Sequence, residues 1–233
     1  VLALYVGSLA AGMSWLFGAI STGQLTGDTA GAPPVDASSL PLTMFSIATS
    51  VGYVFPLLVG TLMVTNEFRH QTLTPTFLAT PKRGVALTGK LVAAILVGVL
   101  YGVVALVAVV GPSAGVLASF GIATTLDDSE TWMFLARSLL ALVLWTIIGV
   151  GVGALVRNQV AAIVIVLAFT QFIEPILRVA GGFVDWLNEV TRFLPGAASD
   201  ALAGRSFYSS LGGPAAVDTG ALEWWQGGLV LLA

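Results

Sequence analysis

Between Lys90 and Asp127 the chain runs for 36 residues, Leu91 to Leu126, without one charged side chain. A backbone inside a bilayer must satisfy its own polar groups, and a run this long with no polar alternation does so as helix rather than as barrel strands. The hydrocarbon core is about 30 Å thick and takes about 20 helical residues. As a single helix this run would be about 54 Å long, too long for one crossing. Gly111-Pro112 is the expected break, because proline removes an intrahelical hydrogen bond and crowds the preceding turn. Helix 3 is therefore expected to end there, with residues 112–126 forming a loop or interfacial piece.

Four more runs have the length and apolarity to span: residues 1–20 (helix 1), 41–65 (helix 2), 131–156 (helix 4) and 159–178 (helix 5). The closing stretch from Glu223, with its WWQGGLVLLA, opens a sixth. Both end helices are expected to be cut from longer ones. The 233-residue chain is 57% hydrophobic and 9% charged, whereas soluble domains carry about 25% charged residues. It lacks the polar surface to face water on all sides. Its opening has no basic segment and no cleavage signal, which argues for a spanning helix rather than a signal peptide. The absence of cysteine leaves the redox compartment open. The expected fold is an all-α polytopic membrane protein with six transmembrane helices in a single permease-like domain, residues 1–233.

The charges orient it. Basic residues prefer cytoplasmic loops. With the 66–90 loop inside, that side receives Arg69, Lys82, Arg83, Lys90 and Arg157 against one acid, Glu67. The other side receives Asp28, Asp36, Asp127, Asp128, Glu130, Asp185, Glu189, Asp200, Asp218 and Glu223, with Arg192 and Arg205. Both termini are then cytoplasmic. Trp132, Trp186, Trp224 and Trp225 fall near the outer interface, where indoles favour the headgroup zone. Within the outer 179–216 segment, Phe183, Trp186, Leu187, Val190 and Leu194 share one helical face. That predicts a short interfacial or re-entrant helix between helices 5 and 6.

Three motifs fail on context. GVALTGKL at 84–91 matches a phosphate loop except that Leu91 stands where Ser or Thr should bind magnesium, and no strand precedes it. GPSAG at 111–115 resembles a nucleophile elbow, but its only possible histidine, His70, lies one span away on the other side. Gly149 and Gly153 in GVGVGAL are four apart on one helix, a spacing that lets helices approach closely. No catalytic, metal or cofactor residue is expected in this chain, and no nucleic-acid partner.

The stretch NEFRHQTLTPTFLATPKR, residues 66–83, is different. It is too polar to span, and Leu73, Phe77 and Leu78 would share a face of a short amphipathic helix that Pro81 stops. A loop that merely set topology would need the basic residues but not this helix. The order Glu67, Arg69, Thr72, Leu78, Pro81, Arg83, Lys90 resembles the permease subunits of ATP-binding-cassette exporters of the drug-efflux and polysaccharide-export kind. GALVRNQVAA at 153–162 and LPGAA at 194–198 are compatible with the same family. Its members usually carry a cytoplasmic amphipathic helix before helix 1, and its lack here is consistent with a truncated start.

The resemblance implies a cytoplasmic coupling helix, docked on a separate ATPase subunit through Glu67, Arg69, Thr72, Leu73, Phe77, Leu78, Pro81 and Arg83. ATP and magnesium would sit in that partner. It further implies a second permease chain, as homodimer or heterodimer, in a bacterial plasma membrane. Helices 2 and 5 are the expected path lining, with Thr43, Ser46, Thr49, Ser50 and Tyr53 on the first and Thr170, Gln171 and Glu174 on the second. An ionisable group at the depth of Glu174 points to function by default, but Arg178 follows one turn later and could pair with it. Pro175 is expected to break helix 5 near this point. The alternative to the exporter is a secondary transporter or channel using Glu174 as an ion or gating site.

Overall fold

The computed structural model describes residues 1–23, 38–72, 83–156, 158–181, 184–205 and 222–232. Among these residues every regular element is a helix: α1 (Leu2–Ser21), α2 (Leu40–Phe45), α3 (Ile47–Ser50), α4 (Val54–Arg69), α5 (Arg83–Ser119), α6 (Ser129–Leu155), α7 (Gln159–Ala168), α8 (Glu174–Gly181), α9 (Asp185–Thr191), α10 (Pro195–Ala203) and α11 (Trp224–Leu232). Five stretches are long and apolar enough to cross a membrane: α1, α2 through α4, the bulk of α5, α6, and α7 through α8. The fold is thus all-α with five candidate membrane spans. The stretch 73–82, where a coupling helix is expected, lies outside the described residues.

The long apolar run does not break at its proline. α5 is one helix of 37 residues with Pro112 inside it, which corrects the loop expected over 112–126. The reason lies in its neighbour. Pro112 deprives the Ala108 carbonyl, four residues back, of its helical donor. Gly7 of α1 presses against that same carbonyl, and a Cβ at position 7 would stand only 2.7 Å from it. Weak Cα–H contacts of this sort recur where helices pack closely. Val109, Ser113 and Leu117 are fully buried on both sides of the proline, so packing holds the helix straight through. α5 ends at Ser119, with Gly121 at φ 74 turning the chain toward α6.

The second span is broken instead, and its sequence says why. The Ser46 hydroxyl donates to the Thr43 carbonyl at 2.7 Å and that of Thr49 to the Ser46 carbonyl at 2.9 Å. Such back-bonding competes with the helical ladder. Gly52 N–H then reaches back five residues to Ile47 at 3.2 Å, widening the turn before α4 begins. This irregular stretch carries Ser50 and Tyr53. α4 packs on α6 through glycines: Gly60 faces the Thr146 carbonyl, Gly149 that of Leu57, and Gly153 that of Thr61. Any Cβ there would strike backbone, so Gly149 and Gly153 do serve close helix packing.

In the last span the break expected near Pro175 takes the form of a π-helical turn, Phe169–Ile173, after which the helix continues as α8 to Gly181. Pro175 has no N–H to offer the carbonyls four or five residues back, and its ring crowds them. One wide turn accommodates the ring without ending the helix. After α9, whose Trp186 and Val190 are exposed, the chain turns inward. α10 buries Gly196, Ala198, Ser199, Asp200, Leu202 and Ala203 against the bundle. It is stopped by Gly204 in the left-handed conformation at φ 94 and packs against α11 and α6.

Candidate functional site

The breaks in the second and fifth spans meet. Tyr53, 3% exposed, stacks on buried Trp145 of α6 with ring centroids 4.3 Å apart. Its hydroxyl lies 3.1 Å from Oε2 of Glu174 and 3.3 Å from the Thr170 carbonyl. It has one proton to share between them. The Thr170 carbonyl is five residues before Pro175, inside the π turn, so the sequence that widens the helix also frees the acceptor that Tyr53 reaches. Thr170 returns its own hydroxyl to the Val166 carbonyl at 2.8 Å.

Glu174 is 1% exposed. Oε1 has no hydrogen-bond partner within ordinary geometry, although it lies against the backbone of Gly196 at the start of α10. A Cβ at position 196 would collide with this carboxylate. The N-terminus of a helix presents unsatisfied N–H groups and positive partial charge, which suits an acid placed there. α10 thus docks its N-terminal turn on an acid of the fifth span.

The second half of the cluster was not anticipated. Arg178 forms an ion pair with Asp200 of α10, not with Glu174 as expected. The packing of α10 into the bundle is the cause, since it brings a second carboxylate within reach of the guanidinium. Asp200 is 3% exposed and also accepts the Ser50 hydroxyl at 2.8 Å. Ser50, Arg178 and Asp200 therefore clasp the second span, the fifth span and α10 together. Asp200 reads in sequence as one more outer-loop acid. The available signal was its setting, PGAASDALAG, too small and apolar for a solvent loop.

Of the expected lining residues, Tyr53, Thr170 and Glu174 are brought together. Thr49 is fully buried, and Thr43 and Ser46 are buried beside it, all three with hydroxyls bonded to their own backbone. Gln171 is exposed on the outside of the fifth span, because the π turn points it away from Tyr53. It does not join the cluster.

At the opposite end of α4 the expected docking residues hold the bundle together. Glu67 pairs with Lys90 of α5 at 2.5 Å, both partly buried, and Arg69 donates to Gln159 at the head of α7 at 3.0 Å. α4 ends with Gln71 left-handed at φ 54. Thr72 N–H reaches the Glu67 carbonyl at 3.1 Å and Gln71 N–H that of Phe68 at 3.4 Å, a Schellman closure. Leu73, Phe77, Leu78 and Pro81 lie outside the described residues; Arg83 opens α5, its side chain outside them too.

Comparison of the chain with protein-family models, with curated proteins and with solved structures finds no match. Among the described residues no group of His, Cys, Asp and Glu could hold a metal ion.

Proposed function

We propose that this chain is the permease subunit of an ATP-binding-cassette exporter, coupled to a separate ATPase subunit through residues 66–83. The observation that carries the reading is the pair of polar ties at the roots of that segment. Glu67–Lys90 joins the end of α4 to the start of α5, and Arg69–Gln159 joins α4 to α7. A partner that moved the segment would move three spans at once. Two permease chains in the cell membrane, their termini in the cytoplasm, face each other across the substrate path. ATP and magnesium bind in the partner ATPase, and closure of the ATPase pair shifts the permease between inward- and outward-facing states by its differential affinity for the two.

At the far end of the bundle the Tyr53–Glu174 contact and the Ser50–Asp200–Arg178 clasp join the second and fifth spans to α10. The re-entrant helix then moves with the spans that the ATPase drives.

One observation favours a second reading. A carboxylate buried this deeply, Glu174 at 1% exposed, suits a secondary transporter that loads an ion at that acid. Purification separates the two. On the exporter reading, an ATPase subunit co-purifies and its hydrolysis responds to substrate, and Phe77→Asp or Leu78→Asp abolishes both while the permease still inserts. If both survive those substitutions, docking through 66–83 is refuted. Transport driven by an ion gradient, with no ATPase bound, would establish the second reading.

A further inference from the structure

A groove of about 480 Å³ runs between the end of α9 and α11, lined by Arg192, Phe193, Trp225, Gln226, Leu229 and Val230 among others. That volume falls within the range of small-molecule sites. Its lining is graded. Arg192, Trp225 and Gln226 stand at one end; Leu229 and Val230 follow one turn deeper along α11. The Nε of Arg192 is buried and has no hydrogen-bond partner among the described residues, while its guanidinium lies 4.9 Å from the Phe193 ring. Trp224 and Trp225 are half-exposed beside it, as indoles are at a headgroup boundary. A second cation, Arg137 of α6, lies 5.0 Å over the Trp224 ring.

We propose that this groove binds one anionic phospholipid, with its phosphate on Arg192 and an acyl chain along Leu229 and Val230. A guanidinium recognises phosphate through paired N–H donors, and Arg192 lines the groove. A soluble anion would leave the apolar half of the groove unused, and Phe193 and Leu229 are 50% and 57% exposed there. The nearest acids in sequence, Glu189 and Glu223, are exposed and are not part of the lining. The lipid would bridge the α9–α10 connection to α11. This inference needs only a membrane-embedded chain and is independent of the transport reading.

The test uses the full chain reconstituted in phosphatidylcholine vesicles, with brominated lipids quenching tryptophan fluorescence. The difference between wild type and Trp225→Phe isolates the Trp225 signal. One basic residue near an anionic lipid favours it by an amount equivalent to about fivefold. Brominated phosphatidylglycerol should therefore quench Trp225 at about one fifth the mole fraction that brominated phosphatidylcholine requires. Arg192→Gln should bring the two lipids to parity, while Arg192→Lys keeps most of the preference. Equal quenching in wild type, or a preference that survives Arg192→Gln, would overturn the proposal. So would relief of the preference by millimolar inorganic phosphate, which would assign the site to a soluble anion. A Trp225 quenched by neither lipid would mean that protein covers the groove, and would overturn it as well.

Discussion

Replacing Asp200 by Asn tests whether α10 is held by the clasp. The Arg178 and Asp200 side chains are only 11% and 4% exposed, so this is a buried pair and not one of the surface pairs worth about 0–1 kcal/mol. Removing one partner of a buried pair costs about 3–5 kcal/mol, mainly through the charge left behind. Asn keeps the shape and can still accept the Ser50 hydroxyl, which places Asp200→Asn at the low end, about 3 kcal/mol. Arg178→Gln should cost a similar amount. The double variant buries neither charge and should lose only about 2 kcal/mol, since replacing both partners is far milder than removing one. The coupling is then about 4 kcal/mol, above the usual range for contacting residues. Reversible unfolding of the purified chain in mixed detergent micelles measures all four corners of the cycle. Ser50→Ala is the companion variant, expected to cost about 1.5–3 kcal/mol for a hydrogen bond to a charged group. A coupling below about 0.5 kcal/mol, the scatter of independent sites, would refute the clasp.

Gly196→Ala should cost about 1–3 kcal/mol by driving its methyl group into the Glu174 carboxylate, and most of that should return in a Glu174→Ala background; thermal unfolding of the three variants checks it. Gly149→Leu should separate α4 from α6 at a loss of about 3 kcal/mol, whereas Gly151→Leu, with nothing within 4 Å, should leave the same unfolding transition almost unmoved. Pro175→Ala restores an N–H to the fifth span and should let the π turn relax toward α-helix, rotating α8. The Arg178–Asp200 coupling, remeasured in that background, should then fall by half or more. In this cysteine-free chain, Ser38→Cys should react with an impermeant thiol reagent from outside the cell and Thr80→Cys should not. The reverse pattern would overturn the proposed orientation.

What the sequence made legible follows from how each signal arises. Long charge-free runs report candidate membrane spans because an unbroken apolar stretch satisfies its backbone in lipid as helix, and five such candidates are present among the described residues. The small-residue spacing at Gly149 and Gly153 reported close packing because no larger residue fits against a carbonyl. Proline was read less well, and for one reason at both places. At Pro112 and at Pro175 the sequence reports a lost hydrogen bond, but whether a helix ends there depends on what meets the freed carbonyl. At Pro112 it is Gly7 of another helix; at Pro175 it is a widened turn and the Tyr53 hydroxyl. Neither partner is near in sequence.

The same reasoning explains why half of the site was visible. Glu174 could be found alone, because an acid deep in an apolar run is conspicuous wherever its partners lie. Its partner could not. Arg178, one turn away, was the nearest opposite charge, and local spacing favours such pairs by only about 0.2–0.5 kcal/mol. A buried carboxylate that also accepts a serine hydroxyl offers the guanidinium far more, and Asp200 supplies it from 22 residues away, with Ser50 a further 150 residues from Asp200. The choice between partners is therefore made by the inward packing of α10, not by helical spacing. That packing in turn needs Gly196 where Glu174 stands and Gly227 of α11 where the Ala198 carbonyl passes. The two acids thus have reciprocal roles. Glu174 of the fifth span meets the N-terminus of α10, and Asp200 of α10 meets the cation of the fifth span, so displacing either element breaks both contacts together.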